Sequence, residues 1–279
     1  MAGREMAGAE MQEPRNEPVV ALQDVRLTVG GFEALRGITV DFPAGKSSVI
    51  MGPSGCGKST LLKVAAGLTP PDGGRVRFRG KDVFQMSERA LLDLRRRSGF
   101  VFQDGALWEN KTLFENLALP LQVHFANEPA AERSRRVVRA LERGGLEESA
   151  SERPAALSGG EKKIAAFLRA LMTEPELLFM DEPTLSIDHA MTEKIRQIIH
   201  DLKARGRTII AVTHDAQLTS TLADFLVVMD AGQVIAAGEF DEVKRSHNPR
   251  VRAILSEVLK DIASYDTDLL ELLDGEPSP

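Results

Sequence analysis

The stretch Gly52-Pro53-Ser54-Gly55-Cys56-Gly57-Lys58-Ser59 constrains this chain more than any other. It follows the apolar run Val49-Ile50-Met51 and precedes Thr60-Leu61-Leu62-Lys63-Val64-Ala65, an order that reads as strand, glycine loop, helix. The spacing G-x-x-x-x-G-K-[ST] carries meaning only in that context. Glycines let a backbone turn its N–H groups inward without Cβ clashes. N–H groups gathered at the positive end of a helix then make a concave anion site. Residues Gly52 through Thr60 are the expected nucleotide-binding set, with Lys58 reaching the β- and γ-phosphates and the Ser59 hydroxyl ligating Mg²⁺. The alternative is a plain glycine-rich turn. With glycine near ~7% of residues, a chance match in a chain of this length is roughly one in a hundred.

The 279 residues are 43% hydrophobic and 27% charged, ordinary globular composition with enough apolar material for one large core or two lobes. A net charge of −6 gives no electrostatic reason to bind nucleic acid. The one cysteine, Cys56, sits inside the glycine loop, so a disulfide framework is impossible and Cys56 reads as a small loop residue. No apolar run approaches the ~20 residues that span a bilayer, and the first ten residues lack the apolar core of a signal peptide. The expectation is a protein that serves any membrane through partners.

Residues 1–17 read as a flexible leader. Val19–Leu22 and Val25–Val29, a Gly30-Gly31 turn and the alternating Ile38–Phe42 predict an antiparallel region. A strand follows at Arg75–Arg79, then a helix from the N-cap Ser87 through Leu94, with Arg95-Arg96-Arg97 as its solvated end. Residues 98–103 form a short apolar strand. Between about 104 and 172 strand character disappears. Thr112–Val123, Pro129–Arg143 and Gly160–Met172 show helical spacing instead, predicting a helical subdomain inserted in an αβ core. Unbroken apolar runs at Leu177–Met180 and Thr208–Val212 suit parallel strands buried on both faces. A helix joins them over Ala190–Arg205, and Phe225–Met229 with Gln233–Ala237 forms a terminal hairpin. Beyond Pro249, Val251, Ile254, Leu255, Val258, Leu259 and Ile262 lie on one helical face.

Two further constellations carry chemistry. Asp181 and Glu182 close a buried strand, at the sheet edge where αβ folds bind ligands. There Asp181 would hold Mg²⁺ through water, and Glu182 would act as general base on the attacking water. Ser158, Gly159 and Gly160 open a helix and form a second anion site. Two such sites in one chain would meet one nucleotide only if they came from different subunits, which implies a two-fold dimer.

The ordered set Gly52–Ser59, Gln103, Leu157–Glu161, Leu177–Glu182, Ser186-Ile187-Asp188 and His214 resembles the ATPase subunit of an ABC transporter, over roughly residues 19–247. The resemblance implies a P-loop α/β fold with an antiparallel β subdomain, a mostly parallel core sheet and an inserted helical subdomain. It places the ATPase domain at 18–248 and a helical tail at 249–279. It also implies that Gln103 reaches Mg²⁺ and couples to the membrane subunit, that His214 contacts the γ-phosphate, and that Asp188 communicates across the dimer. ATP and Mg²⁺ are the implied cofactors, and a second ATPase subunit and an integral-membrane permease the implied partners. The location would be the cytoplasmic face of the inner membrane.

Phe102–Trp108, Leu113–Pro120 and His247–Arg252 are similar to the Mla/Mce-type lipid-transport ATPases. That likeness implies lipid movement, an Mce-domain lipid-binding partner and a small accessory protein. Three features depart from the wider family pattern. Val29, with Phe32 three residues on, stands where a stacking aromatic is usual. Leu185–His189 lacks the usual small residue and proline. Lys162-Lys163 replaces glutamine or arginine. Two alternatives stay open: an importer ATPase for a small polar solute, and a non-transport ABC ATPase of the iron–sulfur assembly type. The apolar tail stripe buries against its own domain or a partner, and the leucine cluster at 269–273 favours the partner.

Overall fold

A computed structural model describes residues 17–263. Its first layer is an antiparallel sheet of β1 (Pro18–Val29), β2 (Phe32–Pro43), β4 (Gly73–Phe78) and β5 (Lys81–Asp82), in the order β2-β1-β4-β5. The two strand segments expected at 19–22 and 25–29 are one strand. Its register shifts between Leu22 and Val25, where Asp24 takes a left-handed φ of 47° and donates its N–H to the Thr39 hydroxyl. Such a bulge swaps the outward face and so breaks the alternation without ending the strand.

The second layer is a six-stranded sheet, ordered β10-β9-β3-β8-β7-β6. It comprises β3 (Ser47–Met51), β6 (Ser98–Val101), β7 (Leu177–Asp181), β8 (Thr208–Val212), β9 (Phe225–Asp230) and β10 (Gln233–Glu239). All neighbours pair parallel except the edge strand β10. Every residue of β3, β7 and β8 is buried. Alternation persists beneath the unbroken apolar sequence, because successive side chains enter different cores. Val49, Leu178, Met180, Ile209 and Ala211 face the helical side. Ile50, Leu177, Phe179, Ile210 and Val212 pack with α1 (Lys58–Ala65) and the antiparallel sheet.

Helix α2 spans Glu88–Arg97 with Ser87 as its N-cap. Its basic end is not simply solvated, since Arg97 makes a bidentate pair with Glu176 at 2.9–3.0 Å. That pair fastens the start of β6, which ends at Val101 rather than 103. The expected helical subdomain is α3 (Leu113–His124), α4 (Ala130–Gly144) and α5 (Gly159–Leu171). Leu117, Leu121, Val137, Leu141, Ile164 and Phe167 join these helices, and their apolar cluster continues without a break into the core beneath β3.

The chain returns through α6 (His189–Ala204), α7 (Ala216–Leu222), α8 (Phe240–Lys244) and α9 (Pro249–Ala263). Val251, Ile254 and Leu255 of α9 are buried in the domain's own core, and Arg250 pairs with Asp230 at 2.5–2.9 Å. Of the two expectations for the apolar stripe, packing on its own domain is what the first turns of α9 show, their side chains filling a space beside α7. The leader 1–16, the side chains of Val258, Leu259 and Ile262, and the leucine cluster at 269–273 lie outside what is described.

Candidate nucleotide-hydrolysis site

Three adjacent parallel strands, β3, β8 and β7, deliver their C-terminal ends to one place. The glycine loop leaves β3, Thr213 and His214 leave β8, and Asp181-Glu182 close β7. Gly57 has φ 103°, and a Cβ there would stand 2.6 Å from the Ala34 carbonyl oxygen, so only glycine fits. Gly57 caps α1 without a side-chain hydrogen bond, leaving first-turn N–H groups directed at the loop. Cys56 is buried, its thiol pushed up by that burial, in keeping with a packing role. Lys58 is also buried, and its ammonium donates to the carbonyls of Gly52 and Pro53 at 2.8 and 2.9 Å. Thr60 follows in the first turn of α1.

The Ser59 hydroxyl donates to Asp181 Oδ1 at 2.7 Å, across 122 residues of sequence. Among the described residues no group of three or more His, Cys, Asp or Glu side chains is arranged to hold a metal alone. A hydroxyl and one carboxylate suit Mg²⁺, which takes one or two protein oxygens and completes its shell with substrate phosphates and water.

Glu182 is buried and adopts a left-handed φ of 47°. Its N–H donates to the Val212 carbonyl at 2.9 Å, and its Oε2 accepts the His214 N–H at 3.2 Å. The His214 ring lies beside the same carboxylate, Nε2 to Oε1 3.4 Å. Burial pushes the Glu182 carboxyl up, against the pull of the His214 N–H and the Lys58 charge. Asp215, next in sequence, caps α7 through Leu218 and makes a bidentate pair with Arg196 at 2.8 Å, which fixes the turn bearing His214.

The remaining expected residues divide. Gln103 is exposed after β6 and enters the network through its backbone carbonyl, which accepts from Lys163. Ser158 and Gly159 are exposed at the start of α5, where Ser158 and Glu161 form a capping box. Gly160 is buried, facing Met191. Asp188 serves as the N-cap of α6, accepting from the Met191 N–H at 2.9 Å. Val29 and Phe32 are both exposed at the β1–β2 hairpin, with the Arg36 guanidinium 5.7 Å from the Phe32 ring centre.

Sequence reasoning gave no structural role to Asn116, Lys163 or Arg169. Asn116 is fully buried. Its amide oxygen accepts the Trp108 N–H at 2.8 Å, and its NH₂ donates to the carbonyls of Trp108 and Thr112 at 3.1 and 2.9 Å. It thus shapes the loop bearing Trp108, and its signal was a lone amide on an apolar helical face. Arg169 holds the same loop through the carbonyls of Gly105 and Ala106.

A family model described as ABC transporter matches residues 35–185. Among solved structures, a dimeric ATP-binding cassette in a post-hydrolysis state bound to ADP and Pi superposes with a TM-score of 0.73. It is 31% identical and covers 79% of this chain and 98% of its own. The cbiO1 subunit of the cbiONQ ABC transporter complex of Clostridium perfringens superposes at 0.69, with 28% identity over 93% of this chain and 100% of that one. The methionine import ATP-binding protein MetN of Caulobacter vibrioides is 40% identical over 228 residues, 81% of this chain and 68% of the relative. MetN of Brucella abortus is 39% identical over 222 residues, 79% of this chain, which spans 60% of that relative's length. The fold is that of an ABC ATP-binding cassette. The chain belongs to the ABC transporter family, as an ATP-binding subunit.

Proposed function

We propose that this chain binds and hydrolyses Mg²⁺-ATP to drive a separate membrane permease. The observation that carries the reading is the convergence, at one sheet edge, of the glycine loop, the Ser59–Asp181 pair and a buried Glu182 beside His214. Loop N–H groups and Lys58 would hold the β- and γ-phosphates, Lys58 exchanging its carbonyl partners for phosphate oxygens. Ser59 and Asp181 would hold Mg²⁺, which supplies charge neutralisation on the phosphates. Gln103 would complete that shell from the loop after β6. Glu182 would take the proton of the attacking water and His214 would donate towards the γ-phosphate. Ser158 and Gly159, exposed at the start of α5, with Gly160 buried behind them, would contact the nucleotide held by a second copy, with Asp188 nearby. The partners are that copy and a permease, at the cytoplasmic face of the membrane. Among the described residues no helix is long and apolar enough to cross a bilayer.

The cargo we favour is a small polar solute, moved inward, on the strength of relatives named for methionine import at 39–40% identity. This replaces lipid as the leading cargo. The lipid reading rests on Phe102–Trp108, Leu113–Pro120 and His247–Arg252. In the fold Phe102, Ala106, Trp108, Leu119 and Pro120 of these segments line a groove with Phe100 and Val123, Trp108 standing 57% exposed. A groove of that kind suits a permease helix whatever the cargo, so an Mce-domain partner does not follow from it. The discriminating experiment captures the chain's membrane partner and measures its ATPase rate in liposomes with methionine and a solute-binding protein, or with phospholipid supplied by a lipid-binding protein. Stimulation by phospholipid alone would restore the lipid reading. For hydrolysis itself, phosphate release that survives intact in Glu182→Gln would remove Glu182 from the reaction.

A further inference from the structure

Lys163 is 6% exposed, in the first turns of α5, on the helical subdomain. Its ammonium donates to two backbone carbonyls from two different loops. One belongs to Gln103, which follows β6, and the other to Glu182, which follows the neighbouring strand β7, at 2.9 Å. The carboxylates of Glu182, Asp104 and Asp181 all act on its charge. A cation removed from water is retained only where close acceptors replace its hydration. Here those acceptors are two turns of the hydrolysis site.

The Glu182 contact has a conformational meaning. A non-glycine residue at φ 47° is strained and persists only where its surroundings fix it. Glu182 is fixed at both ends of its backbone. Its N–H is held by Val212 of β8 and its carbonyl by Lys163 of α5. Releasing the carbonyl removes one of the two bonds that fix the backbone from which the Glu182 carboxylate reaches the His214 N–H.

We propose that Lys163 is a positioning residue for hydrolysis, tying α5 to both Gln103 and Glu182 and holding the Glu182 backbone in its left-handed form. This rests on the reading of Glu182 as general base, and the two fail differently. Lys163 lies outside the glycine loop that binds the phosphates, so its removal changes kcat and spares nucleotide affinity.

The test uses the full chain with Mg²⁺-ATP, measuring phosphate release and the binding of a fluorescent ATP analogue. Lys163→Met keeps the aliphatic stem and removes the donors. The expected result is a kcat lowered about 10–100-fold, the scale of a misplaced catalytic group, with KM and analogue affinity within about threefold of the original. Lys163→Met added to Glu182→Gln should lower the residual rate no further, because the positioned group is already disabled. Where Lys163→Met does not fold, Lys163→Gln, which can reach at most one carbonyl, is measured in the same way. Unchanged kcat in a folded variant overturns the proposal, as does a parallel fall in kcat and affinity or a multiplicative loss in the double variant. Full turnover in Glu182→Gln alone instead removes the underlying assignment of the base.

Discussion

Gly52–Ser59 and Ser158–Gly160 both lead into helices, and the two helix starts are finished differently. The first is closed within its own chain. Lys58 is buried across the loop, Ser59 is already bonded to Asp181, and no side chain caps α1. Its first turn carries no side-chain cap, so the N–H groups there face the loop. The second is exposed at Ser158 and Gly159, and its first N–H groups are occupied by the Ser158–Glu161 capping box. Hydrogen bonds from Ser158 hold the Glu161 carboxyl below the usual range. The difference teaches which segment holds a nucleotide unaided. One is a preorganised cradle, and the other is a stable helix end that offers a hydroxyl proton and a glycine surface to a second molecule.

Substitutions break this contrast in decreasing order of effect. Glu182→Gln acts on the chemistry beside the cradle. Phosphate release should fall by about 10²–10⁴-fold, while ATP affinity measured by equilibrium binding stays close to the original. Lys58→Ala opens the cradle itself. Loss of a charge-assisted phosphate contact weakens ATP binding by about 1.5–3 kcal/mol, read by titration calorimetry. Retained affinity would mean that Lys58 never leaves its carbonyls for the ligand. Ser158→Arg acts on the other segment and separates the two. Nucleotide binding by the single chain should persist, but Glu182→Gln carrying it should no longer run as an ATP-dependent dimer on sizing. Loss of the N-cap should also cost about 1 kcal/mol in denaturant unfolding.

The smallest effect is a pH shift. The groups facing Glu182 are Lys58, Asp181, Lys163 and His214. Burial dominates and holds the carboxyl above the ordinary glutamate range. A base must be ionised to work, so the acid limb of kcat/KM should lie above that of an exposed carboxylate. The stability sign is opposite. Glu182 favours the fold most below its unfolded pKa, and that contribution is lost as pH rises through its raised folded value. A limb at or below the exposed-carboxylate range would argue that another group is the base.

Much of the site was legible because its residues are fixed by local chemistry. The strand, glycine and lysine order of Val49–Lys58 can hardly fold otherwise, and paired acids after Leu177–Met180 fall at a strand end by necessity. Ser87 announced a helix by its capping oxygen, while the caps at Thr112 and Ser158 emerged from the fold. What stayed hidden depends on long-range placement. Nothing near Lys163 in sequence says that its ammonium meets Gln103 and Glu182, 60 and 19 residues away. Nothing near Asn116 says that its amide builds the turn at Trp108. The periodicity of 249–262 was readable, but the surface it meets was not, since a stripe states only that burial occurs.

The sheet of β3, β7 and β8 is a shared wall, each strand alternately feeding the core beneath α1 and the core beneath the helical subdomain. Neither chamber can be emptied while the wall stands dry on its other side. Heat should therefore not melt the helical subdomain first and the rest later. A scanning calorimeter should record one endotherm for the subunit, with matching calorimetric and van't Hoff enthalpies, and a nucleotide that grips the wall's edge at Lys58 should move the whole peak upward.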